Sequence, residues 1–174
     1  MRARCSVFIA TTLDGFIART DGRIDWLSIV ERPGEDYGYA RFFDSVDTVV
    51  VGRKTYATVL GFGAWLYAGK RCVVMTHTLG PSRHGEEFYE GAPEQLVDRL
   101  TLEGAKRIYV DGGAVIQQFL SAGLVTDVVV SIVPILLGEG VRLFGETARD
   151  VGLEFVEARS FASGLVQLEY RVSS

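Results

Sequence analysis

Residues 107–116, RIYVDGGAVI, join a short apolar strand to a helix through two adjacent glycines. Residues 108–110 are β-branched or aromatic and predict a buried strand, and a helical pattern follows the glycines. Because glycine has no Cβ, the backbone at Gly112 and Gly113 can approach a ligand closely. The helix N-terminus beside it carries partial positive charge. The segment therefore predicts a diphosphate-binding turn or, equally well, a tight connection without a ligand.

Two further apolar strands end in residues suited to phosphate binding. Residues 47–52 form one such strand, and its end combines a flexible backbone, two cations and a hydroxyl: Gly52, Arg53, Lys54 and Thr55. Residues 71–76 form another strand, which leads into Thr76 and His77. Ligands of open α/β sheets bind at the carboxyl ends of strands, so the three turns are expected to converge on one nucleotide site. The alternative is that they are ordinary solvated helix starts.

The order of the predicted elements indicates an α/β fold. Residues 5–11 are typical of a first, central strand, after which helices and strands alternate. Residues 125–133 form a long strand, and residues 153–161 and 165–172 alternate as an antiparallel hairpin does. We expect a three-layer sandwich whose mixed, mainly parallel central sheet carries antiparallel C-terminal strands. With 174 residues and no linker or charge run, residues 1–174 are expected to form a single domain.

Composition excludes several classes of function. The net charge of −4 argues against a general nucleic-acid or membrane-surface binder, and no apolar run is long enough to span a bilayer. Residues 1–4 lack the layout of a signal peptide, and Cys5 and Cys72 lie in apolar strands as buried free thiols would. These features favour a cytoplasmic protein. His77 and His84 have no cysteine pair near them, so no metal site is expected.

The acidic residues near the N-terminus have two interpretations each. Asp25 lies between two apolar residues and either caps a helix or faces a pocket. The spacing of apolar residues predicts a helix over residues 35–45. Asp36 lies at its start, where capping is the default because negative charge is stabilised there. A carboxyl at a helix start in an apolar pocket could instead protonate a substrate nitrogen or carbonyl. Trp26 and Tyr37 fit either the core or a pocket wall.

Motifs spread along nearly the whole chain match those of a known group of reductases. They are LDGFIA at 13–18, DW at 25–26, DTVVVGRKTY at 47–56, VDGG at 110–113 and PILLGEG at 134–140. With them the chain resembles the dihydrofolate-reductase-like superfamily, in particular the RibD C-terminal (riboflavin-biosynthesis reductase) family. It departs from the riboflavin reductases at residues 38–44, where Arg41 is the only cation, and at residues 59–63, where VLGFG replaces their Asp-x-Pro-x-Leu signature.

The resemblance implies that the cofactor is NADPH. The nicotinamide would lie beside the first strand, under a closing loop of residues 14–26, against Ala10, Gly15 and Ile17. The adenosine end and its phosphates would be held by Gly52, Arg53, Lys54, Thr55, Thr76 and His77. The diphosphate would face the glycine pair and the helix behind it, namely Gly112, Gly113, Ala114, Val115 and Ile116. Arg53 near the ribose would favour a 2′-phosphate, hence NADPH over NADH. Family members also often carry a cis peptide within the glycine pair.

The implied activity is hydride transfer from NADPH to a C=N or C=O of a small heterocycle, as in 5-amino-6-(5-phosphoribosylamino)uracil reductase. Alignment from Gly52 puts Asp36 at the proton-donor position of folate reductases. Asp25 is a second candidate, and Trp26 and Tyr37 are expected at the substrate. The alternatives are a dihydrofolate or pterin reductase, or a nucleotide-binding protein without turnover. Because riboflavin reductases pair through their sheets, a homodimer is also expected, in which the apolar strands at residues 125–133 and 165–172 could bury an edge. These two strands could equally be ordinary core.

Overall fold

The computed structural model describes residues 1–147 and 149–173, in which helices cover both faces of a central sheet. The strands are β1 (Arg4–Thr12), β2 (Phe16–Ala18), β3 (Thr48–Gly52), β4 (Arg71–Met75), β5 (Glu87–Tyr89), β6 (Arg107–Asp111), β7 (Val125–Val133), β8 (Val141–Arg142), β9 (Leu153–Ser160) and β10 (Val166–Val172). The α-helices are α1 (Tyr39–Asp44), α2 (Arg53–Leu60), α3 (Pro93–Leu102) and α4 (Gly113–Ser121). A 3₁₀ helix covers Asp25–Val30.

The central sheet has eight strands in the order β5-β4-β3-β6-β1-β7-β10-β9. The six from β5 to β7 are parallel, whereas β10 and β9 run antiparallel to their neighbours. This arrangement confirms the predicted α/β class, the central position of β1 and the C-terminal hairpin. Strands β2 and β8 pair separately. The parallel strands all end at one edge of the sheet, where an α/β fold presents its ligand sites.

Apolar side chains fill both faces of the parallel strands. On one face Val50 and Val110 pack with buried residues of α3 and α4, and on the other Val49 and Val51 pack with α1 and α2. Adjacent residues of β3 therefore point to opposite faces, and both faces are covered. This explains why its sequence is continuously apolar rather than alternating.

The amino-terminal ends of three strands are joined by a buried carboxylate, on the edge away from the parallel strands' carboxyl ends. Asp127 of β7 accepts hydrogen bonds from Arg4 at 3.0 Å, Ser6 at 2.9 Å and Arg107 at 3.0 Å. Burial works against ionisation of this carboxyl. The hydrogen bonds from Thr126 and Ser6 and the charges of the two arginines outweigh that effect, so the pKa of Asp127 is lowered.

The helix predicted over residues 35–45 begins later than the sequence pattern suggests. Gly38 adopts a left-handed conformation with φ of 84°, and α1 starts only at Tyr39. The Asp36 carboxylate accepts hydrogen bonds from the backbone N–H groups of Gly38 and Ala40, both at 2.9 Å. Those bonds satisfy donors at the helix start, so the segment before Tyr39 is a cap rather than a turn of helix.

Two other expectations concern the state of the cysteines and the presence of membrane-spanning helices. Cys5 and Cys72 are buried free thiols, as predicted. Across residues 1–147 and 149–173, none of the helices is long and apolar enough to cross a membrane.

Candidate active site

Three turns that are far apart in the sequence meet at the carboxyl edge of the sheet. Gly52 pairs with Met75 across β3 and β4, and Val51 pairs with Asp111 across β3 and β6. The turns after these strands therefore lie side by side. They line a single cavity of about 960 Å³, at the upper end of the roughly 300–1,000 Å³ typical of small-molecule sites.

The glycines let these turns approach one another closely. Gly112 has φ of +100°, and a Cβ there would come within 2.5 Å of the Thr55 hydroxyl oxygen. A Cβ on Gly113 would lie 2.8 Å from the Ile17 side chain, and one on Gly52 would lie 3.0 Å from Val115. A side chain at any of these positions would fill the space between the turns, so the cradle depends on residues without a Cβ.

Two helices begin at this cavity without side-chain caps. The N-cap residues of α2 and α4 are Gly52 and Gly112, and neither helix has a side-chain capping hydrogen bond. Their first N–H groups are thus available to a ligand. Arg53 and Lys54 add two exposed cations in the first turn of α2. Paired helix N-termini with nearby cations fit the diphosphate of a dinucleotide.

The cavity lining includes most of the residues predicted to contact the coenzyme. These are Ala10, Ile17, Gly52, Arg53, Lys54, Thr55, Thr76, His77, Gly112, Gly113, Ala114 and Val115, together with the predicted substrate contact Trp26. All peptide bonds among the residues that the structure describes are trans, including the one between Gly112 and Gly113. The cis peptide implied by the resemblance is therefore not found.

Three predicted contacts lie outside this lining for identifiable reasons. Gly15 closes a turn onto Thr12, with its own carbonyl bonded to the Leu143 N–H at 2.9 Å. Ile116 is on the inward face of α4, where it is fully buried in the core. Tyr37 packs edge-on against Phe161 and its hydroxyl bonds Ser163 at 2.8 Å, so it packs in the apolar cluster around Trp26 without reaching the cavity itself.

Both predicted proton donors also lie outside the cavity lining. Asp25 forms an ion pair with Arg19 at 2.6 Å, and this hydrogen bond lowers its pKa. The two helix-cap hydrogen bonds lower the pKa of Asp36 in the same way. Carboxyls stabilised as anions hold no proton near neutral pH, so their geometry favours the capping and ion-pair interpretations over proton donation.

Two acidic residues line the cavity, Glu90 and Asp111. Glu90 is paired with His77 at 3.1 Å, which leaves Asp111, a residue that the sequence pattern did not single out. It is the last residue of β6, immediately before the glycine pair. The Tyr67 hydroxyl donates to Asp111 Oδ2 at 2.7 Å. Burial raises the pKa of Asp111, although the hydrogen bond from Tyr67 acts in the opposite direction. A carboxyl with a raised pKa in a cavity is a candidate proton donor.

Aromatic side chains surround Asp111 on the α1–α2 side of the sheet. Tyr39 stacks edge-on with Phe8 and with Tyr109, at ring separations of 5.7 and 6.5 Å. Burial, with the nearby Asp111 charge, raises the pKa of Tyr39 to about 12. Trp26 also lines the cavity, and its indole N–H is buried without a hydrogen-bond partner among the residues described. We call this region, with Phe62 and Leu66, the aromatic end of the cavity.

Comparison with known proteins identifies the family. The RibD C-terminal domain matches residues 5–167. The chain belongs to the RibD C-terminal domain family. YwjB of Bacillus subtilis (strain 168), an uncharacterised protein, is 33% identical over 175 residues, which cover 98% of each chain. A Shewanella sp. PV-4 protein provisionally assigned to riboflavin biosynthesis has 34% identity and a TM-score of 0.92 over 100% of both chains.

A more distant solved structure shares the fold. Dihydrofolate reductase from Enterococcus faecalis, solved with NADP(H), has a TM-score of 0.67 at 16% identity, covering 100% of this chain and 99% of that one. The dihydrofolate-reductase-like fold of this RibD C-terminal domain is therefore confirmed.

Proposed function

We propose that this RibD C-terminal domain is an NADPH-dependent reductase that transfers hydride to a C=N or C=O of a small heterocycle. The observation that carries the proposal is the convergence of three turns, two of them built on glycines and each opening an uncapped helix, on one large cavity. The family, the riboflavin-biosynthesis assignment of the Shewanella relative and the NADP(H) bound by the Enterococcus reductase support it.

In this proposal the coenzyme phosphates bind at the end of the cavity lined by Gly52, Gly112 and Gly113, which we call the glycine end. The N–H groups of α2 and α4 and the cations Arg53 and Lys54 bind them, with Arg53 selecting the 2′-phosphate. Ala10 and Ile17 position the nicotinamide ring, which when bound supplies the hydride.

The loop of residues 14–26 lines one wall of the cavity, and hydrogen bonds fix the loop at its first residue, Asp14. The Asp14 carboxylate accepts hydrogen bonds from the backbone N–H groups of Leu137 and Gly138, at 3.2 and 2.7 Å. Strand β2 within the loop pairs with β8. These contacts link two motifs, LDGFIA and PILLGEG, that are about 120 residues apart. We propose that they hold the loop where it excludes water from the reacting atoms.

Asp111 is the proposed proton donor. Its Oδ2 accepts from Tyr67, so we place the proton on Oδ1, from which it moves to the substrate nitrogen or oxygen next to the carbon that receives the hydride. Water then restores the proton to Asp111. General acid catalysis of this kind contributes about 10²–10⁴ in rate.

Oxidation of NADPH, followed by its absorbance with a panel of aminouracil and dihydropterin acceptors, tests the proposal. Asp111→Asn should lower kcat by at least 100-fold with NADPH affinity within twofold of the parent. Asp36→Asn and Asp25→Asn are the matched controls and should keep near-parent rates. Binding of NADPH without oxidation by any acceptor would instead support a nucleotide-binding protein without turnover.

We further propose that the protein is a homodimer paired through the β9 edge of the sheet. All residues of β9 are exposed, including Leu153 and Phe155, which are 47% and 64% exposed. Exposed apolar edge strands are unusual in monomers because they template pairing. Light scattering should give twice the chain mass, and Phe155→Glu should give a monomer. A monomeric parent protein would refute this proposal.

A further inference from the structure

The basic residues that line the cavity are confined to its glycine end. Within residues 1–147 and 149–173 they are Arg53 and Lys54, at the start of α2, and His77, after β4. His77 is already paired with Glu90 at 3.1 Å. The proposed function assigns Arg53 and Lys54 to the coenzyme phosphates, and the family resemblance implies that His77 holds the adenosine end of the coenzyme. The basic groups of the cavity are thus already engaged when NADPH is bound.

The aromatic end has the opposite character. Its walls are rings and aliphatic groups, and Asp111 is the one carboxyl side chain there in the described part of the chain. Burial and hydrogen bonding, rather than a nearby cation, set the pKa of Asp111. Leu66 also lines the cavity and precedes Tyr67, whose hydroxyl bonds Asp111, so the loop that carries Tyr67 adds an apolar residue to the lining.

A phosphorylated substrate would meet unfavourable electrostatics at this end. Phosphate groups in protein sites are bound by Arg, Lys or helix N-termini, and a phosphate placed here would face a carboxyl instead. A flat ring meets favourable partners, because aromatic walls stack on it and the Asp111 carboxyl can bind its edge.

We infer that the hydride acceptor is a planar, unphosphorylated heterocycle whose edge forms a hydrogen bond with Asp111. This inference rests on the proposed function, because it assigns the aromatic end to the acceptor. It distinguishes this chain from a reductase of phosphoribosyl compounds. The protein would discriminate against phosphorylated acceptors because the aromatic end lacks a cation, not because the cavity is too small for them.

The test compares ligand pairs that differ only by a phosphate. The pairs are 5-amino-6-ribosylaminouracil with its 5′-phosphate, and riboflavin with flavin mononucleotide. Dissociation constants are measured by calorimetry on protein saturated with NADP⁺, and kcat/KM is measured with NADPH. The unphosphorylated member should bind at least tenfold more tightly in each pair that binds. Equal or tighter binding of the phosphorylated member, or no binding by either pair at millimolar concentration, would overturn the inference.

Leu66→Arg adds the missing cation and provides the decisive variant. It should improve binding of the phosphorylated members several-fold and so reduce the difference in dissociation constant within each ligand pair. Leu102→Arg adds the same charge at a residue that is 90% exposed and does not line the cavity, and it should leave the preference unchanged. An unchanged preference in Leu66→Arg would contradict the role assigned to the missing cation.

Failure of the inference can be distinguished from failure of the proposed function. Titration of NADPH into the free protein, without acceptor, tests the coenzyme site alone. If NADPH binds and the phosphorylated acceptor is preferred, the proposed function stands and the acceptor inference is wrong. If NADPH does not bind, the proposed function is wrong. The paired ligands titrated into free protein then still measure whether the aromatic end prefers the unphosphorylated member.

Discussion

Gly112→Ala should damage the coenzyme site more than any other single methyl group added to the chain. Gly112 has φ of +100°, a conformation that L side chains rarely adopt. The added Cβ would lie 2.5 Å from the Thr55 hydroxyl oxygen and 3.2 Å from the Thr55 Cβ. Either Thr55 moves or the glycine turn moves, and both belong to the proposed phosphate cradle.

The expected magnitude has two contributions. Holding alanine at this φ costs about 1–3 kcal/mol of folding stability. The hydroxyl contact is about 0.9 Å shorter than an ordinary van der Waals contact of 3.4 Å, so the turns must also separate. A displacement of that size between a phosphate and its N–H donors breaks hydrogen bonds. We expect NADPH affinity to fall at least tenfold, or about 1.4 kcal/mol.

Gly104→Ala is a matched control. Gly104 also has φ of +100°, but nothing lies within 4 Å of the Cβ it would carry, and it does not line the cavity. Urea unfolding measures stability and calorimetry measures NADPH binding for both variants. Gly104→Ala should lose about 1–3 kcal/mol of stability with unchanged NADPH affinity.

An NADPH dissociation constant for Gly112→Ala within twofold of the parent value would refute the reasoning. It would mean that the close approach of the turns is not part of the coenzyme site. A loss of affinity equal to that in Gly104→Ala would refute it as well, because the effect would then come from general destabilisation.

Three other predictions follow from buried or charged groups. The pKa of Asp111 is raised in the folded protein, so kcat should fall as pH rises through that pKa in the parent but not in Asp111→Asn; a parallel decline in both would remove Asp111 as the donor. Asp127 has a lowered folded-state pKa, so its stabilisation is fully present above about 3.8 and is lost as pH falls through the folded value. Asp127→Ala should therefore lose about 3–5 kcal/mol in urea unfolding at pH 7, with a smaller difference near pH 3; an equal loss at both pH values would contradict this. Arg53→Ala should weaken NADPH binding at least tenfold while changing NADH binding little, and equal losses for the two coenzymes would show that Arg53 does not select the 2′-phosphate.

The sequence predicted the features that depend on local pattern and strand order. Continuous apolar runs such as β3 indicated strands covered on both faces, and parallel strands end at one edge, so the meeting of the three turns followed. The convergence of the glycines and cations on one cavity was predictable because they stand next to strand ends, and the carboxyl ends of parallel strands meet at one edge of a sheet.

The proposed proton donor, Asp111, was not predictable in the same way. Asp25 and Asp36 are adjacent to apolar residues in sequence, yet Arg19 and the start of α1 occupy their carboxylates. The environment of Asp111 depends on Tyr67, which is 44 residues away. Its position immediately before Gly112 was the one signal in the sequence, since a charged residue at the end of a buried strand must meet a polar partner or a ligand.

Calorimetric titration of the protein with NADPH tests the central claim most directly. The account predicts saturable binding at one site per chain, with NADH binding at least tenfold more weakly. No measurable heat with either coenzyme, together with no protection against thermal unfolding, would contradict it.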